Sequence, residues 1–335
     1  MDPSESSWSE QPEVVAFPLD RESSQVEAAR EAERQAYEHY GLTFTEHFIT
    51  VPSLNTRMRV AEVGSGLPVV ILPGGVGKGC DWLPLLPELE GYRLFVVDRP
   101  GGGFSDGIDY RTRPLRELAI TVTAAVFDQF AIDSAPIIGH SMGAFYGLQF
   151  ALDQPERVSA LAFLGCPGFY PGFRVPVAMR LMALPGIGRL VVDQLAQPGN
   201  PDDVWEILEF SGHPSRTLDR ISDEYYEASW RVESLSHSKR SWLTLAQTVV
   251  SLVRPRGFHP DLEFTASELG NTPVPVILIW GSDDPFGSSD TGKHGANYFP
   301  RAQFHQVGTG HFPWLDAPET CGALIQEFFS DTTED

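Results

Sequence analysis

Cysteine, lysine and long apolar runs are all scarce in this sequence of 335 residues. Its three cysteines, Cys80, Cys166 and Cys321, are widely spaced and form no metal-ligand pattern, so we expect reduced and mostly buried thiols. No apolar run approaches the roughly 18–20 residues that a membrane-spanning helix needs. These absences argue against a disulfide framework, a metal site and a membrane span.

Positive charge is also scarce, because 24 lysines and arginines stand against 45 acidic residues and the formal net charge is -21. A phosphate backbone is bound by clustered cations, so this charge argues against nucleic acid as a partner. Residues 1–20 are acidic and polar and contain neither a basic segment nor an apolar core of the secretory type. A cytoplasmic location is therefore expected.

The most informative segment that is present reads Gly-His-Ser-Met-Gly at residues 139–143. An apolar, β-branched run at 135–138 precedes it and predicts a buried strand, while residues 144–153 have the apolar spacing of a helix. A serine between two glycines at such a turn is typical of a nucleophile elbow, which exposes the hydroxyl of Ser141. An ordinary glycine-flanked turn is the alternative interpretation.

A serine hydroxyl needs a general base and a group that orients that base. In hydrolases whose nucleophile lies on a strand–turn–helix, the acid and then the histidine follow the serine along the chain. His311 fits the base, since it lies on a glycine-rich loop between a predicted strand at 302–307 and a predicted helix at 319–329. His305 alternates with Phe304 within that strand and is expected to be structural. The histidines in polar surroundings are expected at the surface: His39, His47, His213, His237, His259 and His294.

The acid is expected just after the apolar run at 273–280, because carboxylates at the C-terminal end of a strand face the crevice of a parallel sheet. Two adjacent candidates occur there. Asp284, three residues after Gly281 and before a proline, is preferred, and Asp283 remains the alternative. The strand predicted at 158–164 ends in Gly165 without a carboxylate, which removes the other usual place for the acid.

Acyl transfer also requires donors for a tetrahedral oxyanion. The residue after the nucleophile supplies one, here the Met142 amide, and a loop after an earlier strand supplies the other. The apolar strand predicted at 69–72 leads into a glycine-rich loop, where Gly75 is the expected donor and Val76 the alternative. A phosphate-binding loop is a poor interpretation, because no Gly-Lys-Ser/Thr follows.

Another buried strand, predicted at 94–98, runs into three consecutive glycines at 101–103. Glycines permit a tight turn beneath the active-site loops. We interpret Asp98 and Arg99 as braces of that loop rather than as participants in chemistry.

From about residue 44 to 329, the chain resembles the α/β-hydrolase superfamily. The resemblance rests on five motifs in order: 73–77, 98–105, 139–143, 281–284 and 310–311. It implies an α/β-hydrolase fold with a mostly parallel, doubly wound, eight-stranded sheet and an inserted helical cap. Serine as nucleophile argues against the dehalogenase and epoxide-hydrolase branches, which use aspartate. Family members usually have His-Gly in the oxyanion loop, whereas this chain has Pro73-Gly74.

The chain divides into three predicted parts. Residues 1–42 form an N-terminal extension whose helix at 24–39 is expected to pack on the surface or to remain loosely attached. Residues 43–166 and 273–332 form the hydrolase core. Residues 167–272 form the cap, or lid, with helical periodicity at 177–197, 202–210, 223–232 and 239–253.

The cap is rich in aromatic residues and methionine, which predicts a largely apolar substrate pocket. Its expected lining is Val76, His140, Phe169, Tyr170 and Phe312. The leading functional hypothesis is a serine hydrolase that cleaves small, apolar carboxylic esters through an acyl-enzyme, with no metal or organic cofactor.

The sequence is compatible with other functions. The same catalytic residues can serve carbon–carbon hydrolysis of a dienoic diketone, amide or peptide hydrolysis, or a haloperoxidase side activity. Carbon–carbon hydrolysis would require a cation for the substrate carboxylate, and the candidates in the cap are Arg180, Arg189, Arg231 and Arg240. A ligand-binding protein without catalysis is a further alternative, against which the complete Ser-Asp-His set argues.

Overall fold

Ten strands lie within the part of the chain that the computed structural model describes, which comprises residues 14–75, 77–165, 170–171, 198–254 and 257–333. They are β1 (Ala16–Phe17), β2 (Phe44–Val51), β3 (Thr56–Gly64), β4 (Leu67–Leu72), β5 (Tyr92–Val97), β6 (Gly107–Ile108), β7 (Ala135–His140), β8 (Val158–Leu164), β9 (Val276–Trp280) and β10 (Ala302–Gln306). β1 and β6 form a small antiparallel ribbon.

The other eight strands form one sheet in the order β10-β9-β8-β7-β4-β5-β3-β2. The six strands from β10 to β5 are parallel, and only the pairs β2–β3 and β3–β5 are antiparallel. Because parallel strands are joined by crossover helices, the runs β4, β7, β8 and β9 are buried and almost entirely apolar. The expected mostly parallel, eight-stranded α/β-hydrolase sheet is confirmed.

Helices cover both faces of this sheet, and a separate apolar cluster fills each interface. The helices are α1 (Ser24–His39), α2 (Leu115–Gln129), α3 (Met142–Asp153), α4 (Pro201–Phe210), α5 (Ser215–Leu218), α6 (Asp223–Glu233), α7 (Ser236–Ser251), α8 (Ala266–Gly270), α9 (Ser289–Ala296), α10 (Pro313–Asp316) and α11 (Pro318–Thr333). α2 and α3 pack on one face, whereas α1 and α11 pack on the other. Among the described residues, no helix combines the length and apolarity that crossing a bilayer demands.

Helices α4 to α8 lie in a helical insertion, which we define as residues 166–275 between β8 and β9. Three helices predicted from periodicity in this region correspond to α4, α6 and α7, with ends that differ by a few residues. The helix predicted at 177–197 lies outside the described residues. The described part of the helical insertion is therefore built of helices, as the apolar periodicity indicates.

The N-terminal helix α1 has the predicted bounds, but it is packed far more firmly than a loosely attached extension. Ala29 and Ala36 have no exposed surface, and Glu33 is 2% exposed. Small alanine side chains on one face let the helix approach the sheet closely. There the carboxylate of Glu33 forms hydrogen bonds of 2.6 and 3.0 Å with the guanidinium of Arg59 on β3, which is fully buried.

Replacing Glu33 with alanine is expected to lower the free energy of unfolding by about 3 kcal/mol, because the fully buried guanidinium of Arg59 loses its two shortest hydrogen bonds. Arg59 would keep only its 3.3 Å contact with Asp98 and a 3.5 Å contact with Glu46. Urea unfolding followed by circular dichroism measures the change. The control is Glu31→Ala on the exposed side of the same helix, which is expected to leave the midpoint nearly unchanged. Equal midpoints for the two variants would contradict the buried pair.

Candidate active site

Ser141 lies at the turn between β7 and α3 in a strained backbone conformation. Its φ is 50° and its ψ is -117°, and positive φ is uncommon for a residue with a side chain. The turn is held on both sides, since the Ser141 amide donates to the Leu164 carbonyl at 3.3 Å and the Ser141 carbonyl accepts from the Ala144 amide at 3.0 Å. Such strain persists only where the surroundings enforce it, and here it fits the predicted nucleophile elbow.

The flanking glycines are a steric requirement, as the sequence indicates. A Cβ on Gly143 would lie 1.9 Å from the carbonyl oxygen of Leu72 on β4, and a Cβ on Gly139 would lie 2.6 Å from the Ala144 nitrogen. Neither position tolerates a side chain without moving a strand or helix. The glycines therefore allow α3 to start directly against the sheet.

His311 and Asp284 form a buried pair at the carboxyl end of the sheet. The His311 Nδ1 lies 2.8 Å from Asp284 Oδ2, and the two residues are 5% and 4% exposed. A carboxylate only accepts, so the ring donates from Nδ1, which leaves Nε2 with a lone pair for a proton. The Phe286 amide donates to the other oxygen of Asp284 at 2.9 Å and fixes the carboxylate.

The neighbouring carboxylate lies differently. Asp283 is exposed, and its Oδ2 accepts a hydrogen bond of 2.7 Å from the Ser282 hydroxyl. Of the two acid candidates in the sequence, Asp284 is thus the one that contacts His311.

His140, the residue before the serine, joins the elbow to the loop of His311. Its Nε2 donates to the His311 carbonyl at 3.1 Å, and the two ring centroids are 4.5 Å apart. Burial, and then the adjacent His311, hold the pKa of His140 well below its ordinary value, so the ring is neutral. This contact brings Ser141 and His311 to the same edge of the sheet.

The loop after β4 passes directly against the nucleophile. A Cβ on Gly74 would lie 3.0 Å from the Ser141 Cβ, and Gly75 has a positive φ of 51° with open space where a side chain would be. Met142 is the first residue of α3, so its amide belongs to the turn in which N–H groups have no partner four residues earlier. The loop that contains Gly75 and the first turn of α3 thus lie beside Ser141, and the oxyanion role of the Gly75 and Met142 amides stays a prediction. Val76, the alternative donor, lies outside the described residues.

In the loop after β5, Asp98 and Arg99 hold the backbone of neighbouring loops in place. Asp98 is fully buried and accepts from the Gly79 amide at 2.6 Å and the Phe104 amide at 2.9 Å. The Arg99 guanidinium lies 3.9 Å from the centre of the Tyr146 ring, and its Nη1 is 3.4 Å from the Pro73 carbonyl. These contacts agree with the structural roles expected for Asp98 and Arg99.

The predicted pocket residues occupy different surroundings. Phe312 is half-buried, with its ring centre 4.5 Å from that of His140. Tyr170 is 3% exposed and packs against Gly295 of α9. Val76 and Phe169 lie outside the described residues. Sequence reasoning did not include Phe286, whose ring centre is 4.5 Å from that of His311.

Two of the candidate arginines for a substrate carboxylate have other contacts. The Arg231 Nε lies 2.5 Å from Glu227, and the Arg240 guanidinium stacks 4.0 Å from the ring centre of Phe17. Arg180 and Arg189 lie outside the described residues. Within the part of the chain that the structure describes, no group of three or more histidine, cysteine or acidic residues is arranged to hold a metal ion.

The expectation that His213 and His237 lie at the surface is wrong. They are 2% and 3% exposed, and burial lowers the pKa of His237 to about 4. Their polar neighbours in sequence suggest a solvated loop, but in the folded chain both residues pack against loops of the core. His213 contacts the loop of His311, and only a distant part of the chain supplies its partners, so no local pattern marks it.

Comparison with known proteins is consistent with this geometry. A family model described as the α/β-hydrolase fold matches residues 68–318, which is most of the chain. A relative from Burkholderia vietnamiensis, named 2-hydroxy-6-oxononadienedioate/2-hydroxy-6-oxononatrienedioate hydrolase, is 27% identical over 293 residues, covering 85% of this chain and 95% of the relative.

A relative from Burkholderia cepacia, named 2-hydroxy-6-oxo-6-phenylhexa-2,4-dienoate hydrolase, is 25% identical over 302 residues, covering 86% of this chain and 97% of the relative. Among solved structures, carboxylesterase CesB from Bacillus subtilis is similar with a TM-score of 0.70 and 16% identity, covering 92% of this chain and 99% of that one. The matched family model spans the elbow, the acid and the histidine loop. The chain belongs to the α/β-hydrolase family, and it is a hydrolase.

Proposed function

We propose that this hydrolase cleaves carboxylic esters through an acyl-enzyme, with Ser141 as nucleophile, His311 as general base and Asp284 as the group that orients the base. The observation that carries the proposal is the buried 2.8 Å contact between His311 and Asp284, at the edge where the strained Ser141 lies. A nucleophile, a base and an orienting carboxylate are the three roles that ester hydrolysis by serine requires.

In the first half of the reaction, the Ser141 oxygen attacks the ester carbonyl carbon while His311 Nε2 accepts the hydroxyl proton. The imidazolium that forms is stabilised by Asp284, which already accepts from Nδ1. The amides of Gly75 and Met142 donate to the oxyanion, a contribution of about 10²–10³ in rate for one donor in comparable sites. The tetrahedral intermediate then collapses, and His311 protonates the departing alcohol.

In the second half, water takes the place of the alcohol. His311 removes a proton from the water as it attacks the acyl carbon, and the proton then passes to the Ser141 oxygen as the carboxylic acid leaves. The helical insertion acts as a cap over this site and excludes bulk water. We propose Val76, His140, Phe169, Tyr170 and Phe312 as the apolar lining of the substrate pocket.

Carbon–carbon hydrolysis is the second candidate, because the Burkholderia relatives are named as hydrolases of dienoates and dienedioates. Those substrates carry carboxylates, and recognising them calls for a cation near the site. In the described part of the helical insertion, Arg231 is paired with Glu227 and Arg240 stacks on Phe17. The likeness to an esterase fold and these engaged arginines support an uncharged ester as the substrate.

A substrate panel tests this choice. We expect p-nitrophenyl esters of short and medium acyl chains to be hydrolysed with kcat/KM at least about tenfold above that for a 2-hydroxy-6-oxo-dienoate. Arg231 and Arg240 have other partners and do not supply the charge-assisted hydrogen bond that a buried carboxylate requires. Both reactions are followed by absorbance with the same enzyme preparation. Faster cleavage of the dienoate would reject the ester and favour the second candidate.

A further inference from the structure

The loop that carries His311 joins β10 to α10, and the carbonyls of Gly308 and Thr309 accept from the amides of Ser282 and Asp283. The carboxylate of Asp316 satisfies two amides near the middle of this loop: Oδ2 accepts from Thr309 N at 2.7 Å and from Gly310 N at 3.1 Å. The Thr309 hydroxyl donates to the same oxygen at 3.0 Å. Asp316 thus holds the middle of the loop from within the core.

The next two amides are satisfied by the helical insertion, from the turn between α4 and α5. His311 N donates to the Ser211 carbonyl at 2.8 Å, and Phe312 N donates to His213 Nε2 at 3.2 Å. Because a buried amide without an acceptor is costly, these two bonds tie the position of the loop to that of the helical insertion.

The bond from Phe312 also shows which ring nitrogen of His213 is the acceptor. Since Nε2 accepts, the neutral ring carries its hydrogen on Nδ1, which lies 3.2 Å from Asp316 Oδ2. Burial alone would raise the pKa of Asp316, but the His213 contact and the Thr309 bond outweigh it and hold that pKa well below its usual range. The carboxylate is therefore ionised, and its Oδ2 lies close to Nδ1 without the alignment of a hydrogen bond.

The ring of His213 is enclosed as well as bonded. Its side chain has no exposed surface, and a Cβ on Gly310 would lie 2.5 Å from its Cε1 and Nε2. One ring thus fills the space beside Gly310, accepts from Phe312 and faces Asp316. It contacts the residues on both sides of His311.

We propose that His213 is a positioning residue that sets the loop of His311, so that docking of the helical insertion and alignment of the base are one event. The inference rests on the proposed function, in which His311 Nε2 must meet the Ser141 hydroxyl. A displacement of about 1 Å at a reacting group can cost about 10² in rate. We therefore expect a loosened loop to lower the rate of the chemical step, and hence kcat, more than the affinity for substrate.

Substituting His213 with glutamine or asparagine distinguishes the role of its acceptor atom from the role of its side-chain volume. In His213→Gln the amide reaches the position of Nε2 and can accept from Phe312, whereas in His213→Asn the shorter side chain places the amide near Nδ1, facing Asp316. We expect His213→Asn to lower kcat by about 30-fold with KM within about threefold, and His213→Gln to retain kcat within about fivefold. The matched control is His237→Asn, another buried histidine of the helical insertion, with kcat within about threefold of the unmodified protein.

A readout independent of turnover is the proton resonance of His311 Nδ1–H, which is expected far downfield because it bonds a buried carboxylate. His213→Asn should broaden or remove this resonance, while His213→Gln and His237→Asn should keep it. Equal loss in His213→Gln and His213→Asn, or an unchanged kcat and resonance in His213→Asn, would overturn the proposal. If the unmodified protein hydrolyses no ester, the proposed function fails, and the resonance alone still decides whether His213 positions the loop.

Discussion

Replacing Ser141 with alanine is expected to lower kcat for a p-nitrophenyl ester by about 10⁵–10⁶, the loss that follows removal of a serine nucleophile in comparable enzymes. Without the hydroxyl, no acyl-enzyme forms, and only oxyanion donors and substrate binding remain. Initial rates with purified protein measure the loss. Because the substituted residue has a positive φ, the variant is checked by thermal unfolding to confirm that the elbow is intact.

The control is Ser282→Ala, which removes a hydroxyl from the loop of the acid. That hydroxyl donates to the exposed Asp283, and its loss is expected to change kcat by no more than about threefold. Turnover by Ser141→Ala at more than about a hundredth of the unmodified rate would contradict the assignment of the nucleophile, because no intact pathway would account for it.

Asp284→Asn is expected to have the second largest effect, a loss of about 10⁴ in kcat, because an amide in place of the carboxylate favours the wrong tautomer of the histidine. An asparagine at 284 can donate to Nδ1, which moves the ring hydrogen to Nε2 and removes the lone pair that accepts the serine proton. The variant keeps the size of the side chain, so the burial of His311 should be retained.

The adjacent Asp283→Asn is its matched control. The side chain of Asp283 is exposed, and the hydrogen bond described for it comes from the adjacent Ser282, so its replacement is expected to change kcat by less than about threefold. Parallel measurement of both variants with the same ester decides between the carboxylates. A greater loss in Asp283→Asn would reverse the assignment.

Much of the core is predictable because its signals are local. The strand at 158–164 and the helix at 24–39 have the predicted bounds, since a short apolar run and a polar helix with a capping serine are both recognisable from neighbouring residues. The elbow is predictable for the same reason: the glycines that its backbone requires lie next to Ser141 in sequence. Motif order then places the acid and base candidates on neighbouring strands of the sheet.

What escapes prediction depends on pairs that are distant in the sequence. In the sequence, Glu33 is one of many acidic residues on a polar helix, and nothing nearby indicates that it is buried. Its burial is explained by its hydrogen bonds with Arg59 on β3. His213 lies among serine, glycine and proline, which suggests solvent, yet its acceptor bond comes from Phe312, 99 residues away. Burial of a polar group is decided by its partners, and these partners leave no periodic pattern.

The helical insertion could be predicted in part. Apolar periodicity predicts its helices α4, α6 and α7, because each has a face that must be buried. Periodicity does not predict what each face packs against. The contact of Ser211 and His213 with the loop of His311 is a property of the folded chain, and it makes the helical insertion part of the positioning of the base.

The most direct test of the central claim is mass spectrometry of the protein after treatment with a fluorophosphonate, which reacts with a serine only where a base and oxyanion donors act on it. The account predicts one adduct per chain, on the peptide that contains Ser141, which is absent when Asp284→Asn or Ser141→Ala is treated under the same conditions. No adduct on the unmodified protein, or an adduct on another serine that persists in Ser141→Ala, would contradict it.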